Sequence, residues 1–405
     1  MPHERFHGAD NNTLPRVLVI GTDSAVLSEG SEHRVRMLRY ASTMRELHII
    51  VLGAQGAQEK CVQIGEHVFV YPTRSMSRAR ALVEGLRIGE RIVAHHVIDI
   101  ISTQDPFECA LIGYLLKRKS DARLQIQEHG DFFSQPYWRR ERPLHQLRYV
   151  VGLWLIRHAD CIRVVSERIK CGLVARGIPE EHIVSVPVQT DVVMFQNALP
   201  SENIATLRPQ GGVLILTMAR LVPQKNLTLL IDAFRAVLKQ GVRAHLVIVG
   251  KGPEKNILLR CAKDMVPDHV TFLDWTNDPA GALKAADIYA LSSDYEGWGR
   301  VCIEAFATGT PLLMTDVGCA GEVVRDNENG IVVPVRDVGA FTDALVRLAG
   351  DVALRTRFVT AGHATICARG TIGEHMALYQ KSLECCIVHP HVTQHTSDAI
   401  SHETP

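Results

Sequence analysis

The sequence predicts an α/β protein of two halves, each a mostly parallel β-sheet flanked by helices. Short apolar runs alternate with longer stretches of helical periodicity along the whole chain. This alternation breaks in a polar segment, residues 197–210, that contains Pro200 and Pro209, and then restarts. With 405 residues, the chain is long enough for two hydrophobic cores.

In chain order, residues 1–14 read as a loose tail. RVLVIG (16–21) reads as a buried strand ending in glycine, followed by the polar loop TDSAVLSEGSEH and a helical stretch, RVRMLRYASTM. ELHIIVLG and HVFVYPT read as the next strands, and SRARALVEGLRIGERIVAHH as a helix. VIDIISTQD is a strand, FECALIGYLLKRK a helix, and RLQIQEHGD a strand that ends at His129-Gly130. DCIRVVS and HIVSVPVQT are further short strands. These elements assign residues 15–198 to a first Rossmann-like domain.

Residues 199–371 repeat the pattern. VLILTMARL is a strand, and NLTLLIDAFRAVLKQG a helix stopped by glycine. AHLVIVGKGP, VTFLDW, DIYALSS, PLLMTD and NGIVVPV supply five more strands. A last helix, residues 372–388, lies beyond the final strand and is expected to pack back on the first domain. Residues 389–405 are polar and without periodicity, which reads as a disordered tail. Sheets of this kind bind ligands at the carboxyl ends of their strands, so two in series place a ligand cleft between them.

Bulk composition excludes several classes. Lys plus Arg and Asp plus Glu both number 44, so no global field points to nucleic acid. The opening residues, MPHERFHGADNNTLPR, hold no secretory apolar run, so a cytoplasmic protein is expected. The 10 cysteines are scattered without a C-x-x-C pair, which reads as reduced, mostly buried thiols and argues against zinc. The tail histidines His389, His391, His395 and His402 fall in a segment without order signals, so no metal site is expected there.

The chemistry concentrates near residue 300. In SDYEGWGRVCIEAFATGTP, Glu296 lies in a Gly-rich loop and Glu304 in the helix that follows. A helix N-terminus offers free N–H groups and partial positive charge to phosphates, and carboxylates accept hydrogen bonds from hydroxyls. Such a stretch suits a sugar attached to a diphosphate. Arg220 closes the strand VLILTMARL, and Lys225 follows in LVPQKN. Two cations at a strand's carboxyl end suit a diphosphate; singly, each also reads as a solvated surface charge. Glu296 alone also reads as a solvated loop acid, and Glu304 as a carboxylate that complements the helix dipole.

The set ARLVPQKN, IVGKGPE and AADIYALSSDYEGWGRVCIEAFATGTPLLMTDVGCAGEVVRDNENGIVVPVRD resembles the retaining glycosyltransferases of family four, which have the GT-B fold. EHGDFF, VVSERIKCGL and VPVQTDVVMF extend the resemblance, more loosely, over the first half. The resemblance implies two domains facing across a cleft and a nucleoside-diphosphate-sugar donor. It implies that Arg220 and Lys225 hold the diphosphate, that Glu296, Gly297, Trp298 and Gly299 hold the transferred sugar, and that Glu304 binds the ribose. It places His129 near the reacting sugar, across the cleft from Glu296; a histidine at a strand end is also commonly structural. Asp131 is a candidate to orient His129 or an acceptor hydroxyl. Where the family often has Gly-Gly in its first loop, this chain has Gly30-Ser31. Arg34 reads equally as an acceptor contact and as a helix-start cation.

The expected reaction is transfer to a hydroxyl of a glycan or lipid-linked acceptor, as in surface polysaccharide or glycolipid synthesis, with anomeric retention. No D-x-D pair exists to hold a metal, so cations and a helix N-terminus are expected to stabilise the leaving diphosphate, with no cofactor. His129 and Glu296 are the candidate catalytic pair. The stretch 137–157 interleaves Arg139, Arg140, Arg142, Arg148 and Arg157 with Tyr137, Trp138 and Trp154. That mixture suits peripheral contact with the inner face of a membrane; the competing reading is a solvated basic helix face. Two other functions use the same fold: a nucleotide-sugar epimerase, which needs no acceptor, and a non-catalytic sugar-nucleotide or glycan-binding protein. An NAD-dependent oxidoreductase expects G-x-G-x-x-G after the first strand, which GTDSAVLSEG lacks.

Overall fold

A computed structural model describes residues 14–54, 59–75 and 77–388. The expected tails, including the four histidines beyond residue 388, lie outside the described residues. The first sheet has eight strands: β1 (Arg16–Gly21), β2 (Glu46–Val51), β3 (Val62–Gly65), β4 (Val68–Pro72), β5 (Ile100–Thr103), β6 (Arg123–Glu128), β7 (Cys161–Val164) and β8 (Ile183–Ser185). Their order is β3-β4-β2-β1-β5-β6-β7-β8, parallel throughout except for the β3–β4 hairpin. Sequence reading missed β3, whose VQIG buries only one side chain and has too short an apolar pattern to register.

The second sheet has six parallel strands: β9 (Val213–Met218), β10 (Ala244–Val249), β11 (Val270–Leu273), β12 (Ile288–Leu291), β13 (Leu312–Thr315) and β14 (Ile331–Val333). Their order is β11-β10-β9-β12-β13-β14. Both faces are covered by helices, which is why β9 and β10 are buried at every residue. The order reverses between β1 and β5 in one sheet and between β9 and β12 in the other. These reversals leave crevices at the carboxyl ends, where ligands bind in open α/β sheets.

The Ile372–Val388 helix returns to the first domain, as expected. It packs on β6, β7 and β8 and buries Met376, Tyr379, Leu383 and Cys386. Tyr379 stacks on Tyr40 at 3.8 Å between centroids, and Gln125 donates from Nε2 to the Ser382 carbonyl at 2.7 Å. All ten cysteines are free thiols. Five are buried, whereas Cys61, Cys171 and Cys367 are exposed.

The two sheets face each other with their carboxyl ends inward, and side chains bridge them. Tyr295 donates to Glu141 Oε1 at 2.8 Å, and Arg300 to Glu32 Oε2 at 2.7 Å. The Arg336 guanidinium lies 4.1 Å from the centre of the Tyr137 ring. Arg168 pairs with Asp316 and donates to the Ala320 carbonyl at 3.1 Å. The cleft is therefore closed at its sides by contacts between residues more than 100 positions apart.

Candidate active site

Every residue of the second-domain motif lies at the carboxyl end of β9 or β12, on the two sides of the strand-order reversal. Arg220 is exposed two residues past β9. Lys225 follows in a single 3-10 turn, Pro223–Lys225, that ends at Asn226 with φ 42°. This left-handed residue caps the Leu227–Lys239 helix and also donates to Asp294 Oδ1 at 2.8 Å. Asp294 in turn accepts both arms of Arg336, at 3.0 and 2.6 Å. The β9 and β12 loops are thus tied together just outside the cleft.

Glu296 is 8% exposed and forms an ion pair with Lys225, while Ser293 donates to the same carboxylate oxygen at 2.6 Å. Sequence reading gave these two groups separate ligands; here they neutralise each other.

Gly297 has no room for a side chain. A Cβ built on it falls 2.5 Å from the His129 carbonyl carbon and 3.0 Å from the Gly130 Cα. The Gly-rich loop of the second domain therefore lies directly on the strand end that carries His129. Trp298 is 3% exposed and its indole belongs to the hydrophobic core, under the Arg369 guanidinium at 5.2 Å. Its carbonyl accepts from Cys319 N at 2.8 Å, and its buried indole Nε1 has no hydrogen-bond partner among the described residues. Gly299, with φ 85°, is the N-cap of the Arg300–Thr308 helix, a conformation that favours glycine.

Glu304 is 6% exposed, and burial raises its pKa, with Arg300 acting in the opposite direction. Arg300 Nε lies 2.7 Å from Glu304 Oε1, yet the angle is too poor for a hydrogen bond, and that oxygen has no hydrogen-bond partner among the described residues. Glu304 therefore keeps acceptor capacity in a buried place. Sequence reading missed Arg300, which also reaches Glu32 across the cleft; its position one residue after the Gly loop was the available signal.

His129 opens to the cleft, but protein surrounds it closely. This burial, then the fields of Arg163, Arg36 and His33, lower its pKa, so the ring is neutral near pH 7. Its Nε2 lies 2.9 Å from Gln127 Oε1, which can only accept, so Nε2 carries the proton. The residue that orients His129 is Gln127, two positions earlier on the same face of β6. Asp131 does something else: its carboxylate, 1% exposed, accepts from Ser134 N and Gln135 Nε2, both at 3.2 Å. Gly30 takes φ 72°, and Ser31 caps the Glu32–Ala41 helix by accepting from Arg34 N. Arg34, in the first turn of that helix, is half-buried.

One group among the described residues has metal-ligand spacing: Glu46, His48 and His96, whose ligand atoms lie within 4.8 Å of one another. Glu46 begins β2, so this group sits at the opposite end of the sheet from His129, outside the cleft.

Comparison with known proteins matches this geometry. Residues 201–365 fit the family model of glycosyl transferases group 1, and residues 29–189 that of the glycosyl transferase 4-like domain. A GDP-mannose-dependent alpha-(1-6)-phosphatidylinositol monomannoside mannosyltransferase of Mycobacterium tuberculosis is 36% identical over 324 residues, 77% of this chain and 81% of that protein. The lipopolysaccharide core biosynthesis glycosyltransferase LpsE of Rhizobium meliloti is 33% identical over 39% of this chain, and the phosphatidyl-myo-inositol mannosyltransferase of Mycobacterium leprae 37% over 43%. These two alignments span only 46% and 48% of the relatives' own lengths. Among solved structures, sucrose-phosphate synthase of Thermosynechococcus elongatus superposes with a TM-score of 0.73 at 18% identity, over 90% of this chain and 98% of that one. HepE of Anabaena, in complex with UDP, gives 0.67 at 16% identity, over 91% and 99%. Together with the paired sheets and the cleft between them, these matches show that the chain belongs to glycosyltransferase family four and has the GT-B fold.

Proposed function

We propose that the protein transfers mannose from GDP-mannose to a hydroxyl of a lipid-linked acceptor, with retention at the anomeric carbon and without a metal ion. The observation that carries this reading is the meeting of the two half-sites. Lys225, Glu296 and the N-terminus of the Arg300–Thr308 helix surround the place for a sugar diphosphate, and Gly297 brings it against His129. The donor follows the relatives that align over most of both chains and are described as GDP-mannose-dependent.

Arg220, Lys225 and the helix N-terminus stabilise the negative charge that builds on the departing diphosphate. Glu304 holds the ribose. Neutral His129, its Nε2–H fixed on Gln127, stands beside the sugar and accommodates charge there. The proposed route is front-face attack, with the donor phosphate accepting the acceptor's proton, rather than a double displacement through an enzyme carboxylate. The test is incubation with GDP-mannose and a mannosylated glycolipid acceptor in the presence of a chelator, followed by NMR of the product anomer. An α-linked product is expected. A β-linked product refutes retention, and activity only without the chelator refutes metal independence.

The acceptor reading is supported by the Pro143–Arg157 helix. Leu144, Leu147, Val150, Val151 and Trp154 are 57, 60, 65, 37 and 43% exposed, with Arg140, Arg142 and Arg157 around them. This apolar face edged by cations fits an anionic leaflet. It begins three residues after Glu141, which touches Tyr295 at the cleft edge, so a docked bilayer lies beside the cleft mouth. No helix among the described residues is long and apolar enough to cross a membrane. The protein is expected to co-sediment with phosphatidylglycerol vesicles and not with phosphatidylcholine vesicles. The double substitution Leu147→Glu, Val151→Glu is expected to abolish binding while soluble-acceptor turnover is kept; unchanged sedimentation refutes this surface.

A further inference from the structure

The structure assigns an anion-binding site to the first domain, formed by Arg36, Arg39 and Arg163 beside His129, and we infer that it receives a phosphate group of the acceptor. This inference rests on the transfer reading above. The central observation is Arg163. It stands on β7, 4% exposed, with no acidic partner among the described residues. Nη1 donates to Gln127 Oε1 at 3.2 Å, while the buried Nε has no partner among the described residues. A buried guanidinium without a carboxylate is unfavourable unless something compensates its charge. The rings of Tyr379 and Tyr40, at 4.8 and 5.6 Å, shelter it on one side and supply no charge.

Neither neighbouring arginine is directly ion-paired with a carboxylate among the described residues. Arg39 donates to Gln189 Oε1 at 3.0 Å, a neutral acceptor. Arg36 lies 3.3 Å from His33 Nδ1. Two acids of the neighbouring loop and helix are engaged elsewhere: Asp23 with His33, and Glu32 with Arg300. Thr190, next to Gln189, has a buried hydroxyl with no partner among the described residues. Three guanidinium groups with spare donors match a tetrahedral phosphate, which arginine binds through paired N–H groups.

The site differs from the donor's diphosphate site, because Arg220 and Lys225 belong to the other domain. Gln127 joins it to the reaction: the same Oε1 accepts from Arg163 and from His129. An acceptor anchored by phosphate at the arginines holds its hydroxyl on the His129 side of the cleft. The sequence hinted at a charged acceptor through Arg34; the structure shifts that role two and five residues along the same helix.

The test saturates the full-length protein with GDP, so that Arg220 and Lys225 are occupied, and titrates inorganic phosphate and glycerol 3-phosphate by calorimetry. Both are expected to bind, and Arg36→Gln and Arg39→Gln, at half-buried positions, are each expected to weaken binding about tenfold or more. Absence of binding to GDP-saturated wild type overturns the inference. So does binding that both substitutions leave unchanged, or that is lost only in Arg220→Ala. Dihexanoyl phosphatidylglycerol, offered as a competitor, separates the sources: displacement assigns the site to a lipid headgroup, and no displacement to a soluble phosphoester, both within the inference. Release of GDP from GDP-mannose, measured without acceptor, is followed in the same variants. Absence of phosphate binding to the wild type with donor turnover intact sinks this site alone, whereas failure of the wild type to bind GDP-mannose sinks the transfer reading.

Discussion

Gly297→Ala is expected to lower transfer about a hundredfold or more while both domains remain folded. The added methyl falls inside contact distance of the His129 carbonyl carbon, at 2.5 Å, and of Gly130 Cα, at 3.0 Å. Both neighbours are backbone, so no side chain can rotate away. Gly297 does not have a positive φ, so alanine carries no conformational penalty of its own. The strain can be relieved by parting the domains at the cleft rim, where hydrogen bonds, an ion pair and the Arg336–Tyr137 contact join them. A displacement of about 1 Å between donor and acceptor halves costs on the order of a hundredfold in rate. The measurement is kcat and KM beside GDP binding and thermal unfolding. Retained GDP affinity with collapsed kcat is the expected pattern; near wild-type turnover refutes the closed cleft as the reactive form.

Lys225→Ala is expected to reduce turnover by roughly ten- to a hundredfold, with a distinct stability signature. A charge-assisted hydrogen bond to the leaving diphosphate contributes about 1.5–3 kcal/mol, and each 1.4 kcal/mol is about tenfold. The substitution also leaves Glu296, 8% exposed, without its cation. The second domain should therefore lose stability, and adding Glu296→Gln should return much of it by removing the orphaned charge. Activity should stay low in the double variant, because diphosphate and sugar have both lost their charged contacts. Equal stability of the two variants argues that Lys225 and Glu296 are not paired in solution, and wild-type rates in Lys225→Ala remove it from the donor site.

Much of the framework was legible before any coordinates. Apolar runs marked thirteen of the fourteen strands, because a strand buried on both faces is a continuous apolar segment whatever packs on it. The missed strand, β3, buries little and pairs only at an edge. The break between the halves and the returning helix beyond residue 371 were equally local in origin. Spacing also brought Arg220, Lys225, Glu296 and Glu304 into one motif, since loop–helix junctions at strand ends collect phosphate-binding groups.

Partnership was another matter. Asp131 and Gln127 are each two positions from His129, yet Gln127 holds it, because residues i and i−2 share a face of a strand and the chain turns away after Gly130. Arg300 carried no reading in the sequence, although it spans from Glu304 to Glu32.

By itself, then, the sequence determined the two α/β halves, the family and the grouping of Arg220, Lys225, Glu296 and Glu304 at strand ends, all properties of local pattern and short spacing. The tertiary structure alone decided that Glu296 rests on Lys225, that Gly297 presses on His129, and that Arg36, Arg39 and Arg163 converge without a carboxylate. These contacts join residues tens to hundreds of positions apart. They depend on strand order and domain closure, which periodicity does not encode, because the free energy that selects them comes from packing between elements rather than within them.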